Sequence, residues 1–165
     1  HHIWPSYLVN ETPIFKKDYR SIFIYRDPYE RFISAYKNRV IDKKCLLNVK
    51  EKCHNYKLNI FPNIEEFSEN LDLYCEISPE INWHLQPQYL FSGSNLAAYT
   101  DLINLSNIEL FNKFIFDLKT TLDVNYDFIK HQNSNSKSVI VKNQKPIRNI
   151  VFEKFSKDYE LFFSR

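Results

Sequence analysis

Glycine is almost absent: the 165 residues contain one, Gly93. Neither a G-x-x-x-x-G-K-[ST] loop nor a G-x-G-x-x-G loop can be written with a single glycine, so any phosphate site in this chain must be built another way. Cysteine is also scarce. Cys45, Cys53 and Cys75 are odd in number and lack framework spacing, and Cys45…Cys53-His54 fits no zinc-finger interval, so reduced, buried or half-buried thiols are expected and no metal. No apolar run approaches the roughly 18 residues of a membrane span, and no charged-then-apolar leader opens the chain. The formal net charge of +2 is too balanced for a general nucleic-acid binder. Lys16, Lys17, Arg20, Lys37, Arg39, Lys43 and Lys44 nevertheless crowd the first quarter, which favours a local anion site over a solvated basic face only if other features point the same way.

What is present is enough apolar matter for one core. At 44% apolar and 16% aromatic, residues 1–165 read as a single domain. The run Ile22-Phe23-Ile24-Tyr25 lacks strict alternation and is expected to be a central parallel strand covered on both faces. It ends on Arg26, turns through Asp27-Pro28 and restarts as a helix. Asp27 suits the N-cap, Pro28 the first helical position, and Glu30 completes a D-x-x-E capping box. Tyr29, Phe32, Ile33, Tyr36 and Val40 then form one apolar stripe, predicting a helix to about Ile41, with Asp27 and Arg31 able to pair one turn apart. A second helix is expected after Asn63, with Glu66 at its third position and Ile64, Phe67, Leu71 and Tyr74 inward. A third begins near Ser106, and its broad face (Ile108, Leu110, Phe111, Phe114, Ile115, Leu118, Leu122) predicts deep burial. "NSNSKS" marks a surface loop followed by a short strand. A last helix from about Pro146 presents Ile147, Ile150, Val151, Phe155, Tyr159 and Phe162. The fold class is therefore α/β, a parallel sheet flanked by helices, with fewer strands than a buried parallel sheet needs.

Arg26 stands at the carboxyl end of the strand, where open α/β sheets bind ligands. Ser34 lies six residues beyond Pro28, roughly 9 Å along the helix axis, within reach of an extended arginine. A phosphate could bridge the two. The competing arrangement ties Arg26 to Glu30 or Asp27 at the surface and leaves Ser34 as a small residue at a helix crossing.

"IFIYRDPYERFISAYKNR", Ile22 to Arg39, resembles the 3′-phosphate-binding segment of sulfotransferases that use 3′-phosphoadenosine 5′-phosphosulfate (PAPS). It is most similar to the carbohydrate sulfotransferases of the chondroitin and heparan sulfate 2-O type, with Arg26, Asp27, Pro28, Arg31, Ser34 and Tyr36 at the fixed positions. The resemblance implies a P-loop-like sheet in which Arg26 and Ser34 bind the donor's 3′-phosphate while Arg31 and Tyr36 hold the motif together. "HLQPQ", His84 to Gln88, is similar to an H-x-x-P-Q stretch in mid-domain. "KHQNSNS" resembles an H-x-N-x-S segment through His131, Asn133 and Asn135, and Phe152 to Phe162 resembles the closing helix. These relatives carry an earlier strand, a phosphosulfate-cradling loop with Lys or Arg, and a helix, none of which is found here. An N-terminally truncated fragment of a longer protein is expected, the alternative being a chain that has lost that loop.

The implied reaction is metal-independent transfer of a sulfuryl group from PAPS to a carbohydrate hydroxyl, by in-line attack with catalysis from positioning and positive charge. Candidate general bases are His2, where the heparan sulfate 2-O-sulfotransferases place a histidine pair, His1 beside it, and His84. For His84, ordinary packing beside Trp83 is the competing role. Gln88 is expected to hydrogen-bond substrate or donor. Lys37, Arg39, Lys43 and Lys44 either guide an anionic glycan or form a solvated face. A non-catalytic nucleotide- or glycan-binding module is the second hypothesis. A nucleotide kinase is the third, and it would demand a Walker loop that is missing. Composition favours a bacterial cytoplasmic setting, with the Golgi lumen as alternative; no nucleic-acid partner and no membrane contact are expected.

Overall fold

The computed structural model describes residues 20–122, 141 and 144–164. His1, His2, His131, Asn133, Asn135 and nearly all of the expected loop and strand between Asn125 and Lys142 lie outside them. Strand β1 (Ile22–Tyr25) is followed by α1 (Pro28–Ala35), which runs into a π-helix (Tyr36–Asp42) and then a 3-10 helix (Cys45–Val49). Short helices α2 (Lys50–Asn55), α3 (Ile64–Glu69), α4 (Leu71–Ile77), α5 (Pro79–His84) and α6 (Tyr89–Ser92) lead to a 3-10 turn (Leu96–Ala98) and β2 (Asp101–Asn104). Helices α7 (Ile108–Leu122), α8 (Gln144–Lys154) and α9 (Ser156–Phe163) complete the described order. The architecture is mostly helical around a two-stranded parallel sheet, with Ile22 opposite Asp101 and Tyr25 opposite Asn104. A parallel pair needs a crossover, and everything from α1 to α6 supplies it.

Strand β1 departs from the expectation of full burial. Phe23 and Tyr25 stack on Phe162 of α9 at 5.6 and 4.8 Å between centroids, whereas Ile24, on the opposite face, is 48% exposed. The strand therefore obeys the two-residue pleat. Its aromatic residues mark the face that meets α9, a distinction that an all-apolar quartet hides in sequence. Arg20 fastens the strand's start to β2 through two hydrogen bonds to Asp101, 2.6 and 3.0 Å.

The first helix begins as its residues dictate: Asp27 accepts the Glu30 N–H at 3.0 Å, and Pro28 occupies the first turn. Beyond Ala35 the turns widen, and the Lys43 N–H bonds Asn38 five residues back. Tyr36 and Val40 face inward in either geometry, which is why spacing alone did not separate them. The helix expected after Asn63 has its cap, with the Glu66 N–H donating to Asn63 at 2.8 Å, but it breaks at Asn70. There the Asn70 side-chain amide donates to the Glu66 carbonyl at 3.0 Å, a local bond that competes with helix continuation.

The core lies between α1, the π-helix, α3, α4 and α8. Phe67 is fully buried at its centre, with ring centroids of Phe32, Tyr36 and Tyr74 at 5.7, 5.3 and 5.1 Å. Ile147, Val151 and Phe155 close it from the C-terminal side. All three cysteines are free and buried, and burial pushes the Cys75 thiol up to about 11, which makes it an inert packing group. Helix α7 corrects its expected burial: Phe111 and Phe114 are covered, but Ile108 and Leu110 are 50 and 58% exposed. A wide apolar stripe says which residues are greasy; it does not supply an element to cover them.

Two stability outcomes follow. Phe67→Ala should lose about 3–5 kcal/mol in urea denaturation because it empties the shared centre of three ring contacts. The single glycine, Gly93, sits at φ 72° and ψ −179°, a combination open only to glycine. Gly93→Ala should cost about 1–3 kcal/mol; a loss below about 0.5 kcal/mol in either variant would contradict these assignments.

Candidate functional site

The turn after β1 is held by its main chain. The Arg26 N–H donates to Gln88 Oε1 at 2.9 Å, and Gln88 Nε2 donates back to the Arg26 carbonyl at 2.8 Å. Gln88 is in turn fixed from behind, because its own N–H donates to Asp158 Oδ2 at 2.8 Å and the Tyr89 N–H donates to Asp158 Oδ1 at 2.9 Å. Asp158, on α9, is wholly buried. Arg31 of α1 completes the knot: its Nη2 lies 3.6 Å from Asp158 Oδ2, its Nη1 donates to the Gln86 carbonyl, and its guanidinium covers the Phe155 ring at 5.0 Å. Burial pushes the Asp158 carboxyl above the ordinary aspartate range, while the two main-chain N–H donors and Arg31 pull it back. Burial likewise lowers Arg31, opposed by Asp158. A guanidinium stays charged throughout the accessible pH range, so Arg31 presents a positive charge to Asp158.

Arg31 therefore does not pair with Asp27 one turn away. It ties α1 to Gln86 and Asp158, and Tyr36 ties the same stretch to the loop before α3, its hydroxyl donating to the Pro62 carbonyl at 2.9 Å. Gln88 is placed against the Arg26 main chain at 8% exposure, with both amide atoms engaged there.

The Arg26 side chain is less constrained. Its Nε donates to Glu30 Oε2 at 3.3 Å, the pairing foreseen as the competing arrangement. Ser34 is exposed, not set in a helix crossing. It stands one turn beyond Glu30 on α1, and Glu30 pairs with Arg26, which precedes the helix. Glu30 lies between the two residues expected to hold phosphate.

His84 ends α5 immediately before the Leu85–Gln88 turn and is exposed. Partial desolvation, with Arg39 and Lys43 nearby, lowers its pKa, against a smaller opposing pull from Glu80. Glu80 also lies 3.7 Å from Arg39 Nη1 and accepts from the Cys45 thiol at 3.0 Å. Arg39 of the π-helix thus meets α5, whereas Lys37 pairs with Asp42 of its own helix at 3.7 Å and Lys43 and Lys44 are exposed. His54 is exposed. No group of three or more His, Cys, Asp or Glu positioned to hold a metal occurs among the described residues.

Sequence reasoning missed Asp158. The signal was available: Asp158 follows Phe155 by three residues and precedes Phe162 by four, which puts a carboxylate on the inward stripe of its helix. An acid there needs a buried partner, and Arg31 is that partner.

Asp158→Ala should destabilise the fold by about 3–5 kcal/mol in urea denaturation, since it strands the buried Arg31 charge and frees two main-chain donors. A loss below about 1 kcal/mol would contradict the pairing. His84 should titrate below its ordinary value of 6.5 when followed by NMR. With the folded value depressed, the unfolded chain binds the proton first, so the His84 contribution to stability is full above 6.5 and is lost as pH falls through the folded value. A titration midpoint above 6.5 would contradict the cationic surroundings.

Comparison with known proteins agrees with the sequence motif. No significant match is found among curated proteins, and none among solved structures. The model of the Sulfotransferase family matches residues 5–164, which takes in both strands, the clamped Arg26 turn and the α9 carboxylate behind it. The chain belongs to the sulfotransferase family.

Proposed function

We propose that this chain belongs to an enzyme that transfers a sulfuryl group from PAPS to a carbohydrate hydroxyl, and that Arg26 and Ser34 bind the donor's 3′-phosphate. The observation that carries the reading is the contrast at Arg26. Its main chain is clamped on both polar atoms by Gln88, while its side chain is tied only to Glu30, the two side chains being 36 and 46% exposed. An exposed i,i+4 ion pair is worth only about 0.3–0.5 kcal/mol. A phosphate monoester offers more charge and several acceptor oxygens, and charge-assisted bonds to it are stronger. The guanidinium thus leaves a fixed point at the carboxyl end of a parallel strand and is free to exchange one anion for another.

The remaining roles follow from the chemistry. PAPS supplies the sulfuryl group, and the reaction forms a sulfur–oxygen bond to the acceptor while breaking the one to adenosine 3′,5′-bisphosphate. The acceptor's hydroxyl proton must pass to a base. His84 fits that task in its neutral form, which its depressed pKa favours near neutral pH; His2 is the second candidate, outside the described residues. Gln88 enters as the brace of the donor turn. Arg39 and Lys43, beside His84, suit an acceptor that carries carboxylate or sulfate.

Calorimetric titration of adenosine 3′,5′-bisphosphate against adenosine 5′-phosphate tests the reading. The bisphosphate should bind far more tightly. Arg26→Ala should weaken it by about 2–4 kcal/mol and Ser34→Ala by about 1 kcal/mol. Equal affinity for the two nucleotides, or an unchanged affinity in Arg26→Ala, would contradict it.

A further inference from the structure

The carboxyl ends of both strands converge on one oxygen atom. Ser106 follows β2 by two residues and is turned inward by its own N–H, which donates to Asn104 Oδ1 at 2.9 Å. Its hydroxyl accepts the Asp27 N–H at 3.1 Å and donates to Glu30 Oε2 at 2.7 Å. The same Glu30 oxygen accepts from Arg26 Nε at 3.3 Å. A single anionic oxygen is therefore held between a guanidinium from the end of β1 and a hydroxyl from the end of β2. That is the donor set a phosphate oxygen would use, at the rim where ligands of parallel sheets bind.

We propose that Ser106 is a further ligand of the donor's 3′-phosphate, and that the Glu30 carboxylate competes with that phosphate for Arg26 and Ser106. The proposal rests on the donor-site reading above. Glu30 is half in solvent and stands on the first turn of α1, so rotation of its side chain moves the carboxylate outward without disturbing the helix. A phosphate oxygen then takes over both donors. Asp27 remains in place as the N-cap, and its N–H keeps the Ser106 hydroxyl aimed. The competition makes the site selective: an anion must carry enough charge to displace a covalently tethered carboxylate, so a phosphate dianion succeeds where a weak monoanion does not.

The test is calorimetric titration of adenosine 3′,5′-bisphosphate into the full chain and its variants. Glu30→Gln removes the competing charge and should bind about two- to fivefold more tightly, the range an exposed ion pair allows. Ser106→Ala should bind about three- to tenfold more weakly, and should do so in the Glu30→Gln background as well. Ser106→Thr retains the hydroxyl and should stay within about twofold of the parent, which separates loss of a ligand from loss of folding. If Ser106 only restrains Glu30, Ser106→Ala binds equally or more tightly, and its assignment as a ligand is overturned. Glu30→Gln binding no more tightly than the parent overturns the competition. Arg26→Ala keeps the two levels apart. Failure of the parent chain to prefer the 3′-phosphate, or indifference to Arg26→Ala, overturns the donor site itself; an intact Arg26 effect with unresponsive Glu30 and Ser106 variants overturns this inference alone.

Discussion

A single buried carboxylate organises the strand-to-helix turn. Asp158 comes from the last described helix, yet it receives the main-chain N–H groups of Gln88 and Tyr89 and faces the Arg31 guanidinium of the first helix. Through Gln88 it fixes the Arg26 main chain. Three distant parts of the chain are thereby committed to one geometry. Desolvating the two charges costs several kcal/mol each, and the paired charge with its two extra donors offsets that cost only in this arrangement. The pair's contribution is to placement more than to net stability: it selects where Arg26 begins.

Two regimes of electrostatics sit side by side. Behind the turn the charges are buried and face each other at 3.6 Å, and Arg31 leans on the Phe155 ring. In front of it, Arg26, Glu30 and Ser34 are partly or largely exposed, and their interactions are weak and exchangeable. Ligand binding needs this division, with a stiff frame setting direction and loose side chains changing partners. A second cluster, the largely covered Arg39 with the exposed Lys43, Glu80 and His84, joins the π-helix to α5. It follows directly from the same chain segment that presents Gln86 and Gln88 to the turn. Donor and acceptor chemistry would then be positioned by opposite ends of one short stretch.

Legibility in the sequence tracked the range of the forces involved. The Asp27 cap, the Pro28 start, the inward stripe through Phe32, Tyr36 and Val40, and the Asn63 cap depend on neighbours within a turn or two, and each is found where spacing put it. The break at Asn70 was also local but required knowing that its side chain would choose the Glu66 carbonyl. What spacing could not reveal was what packs on what. Ile24 and the outer side of α7 look as apolar as any core residue and are exposed. Gln88 read as a polar group for a ligand, and its bonds to the Arg26 main chain, 62 residues away, had no signal in spacing. Arg26 and Ser34 were singled out by motif and reach. Glu30 was read as a capping residue and as the competing partner of Arg26, but not as a charge that bears directly on any anion bound there.

The central claim is that a fixed main chain at Arg26 lets its guanidinium trade the Glu30 carboxylate for a nucleotide 3′-phosphate. A crystal structure of the chain with adenosine 3′,5′-bisphosphate tests it most directly. The account predicts the 3′-phosphate in hydrogen-bond contact with the Arg26 guanidinium and the Ser34 hydroxyl, Glu30 turned outward, and the Gln88 clamp unchanged. Nucleotide bound elsewhere, with Arg26 still paired to Glu30, would contradict it.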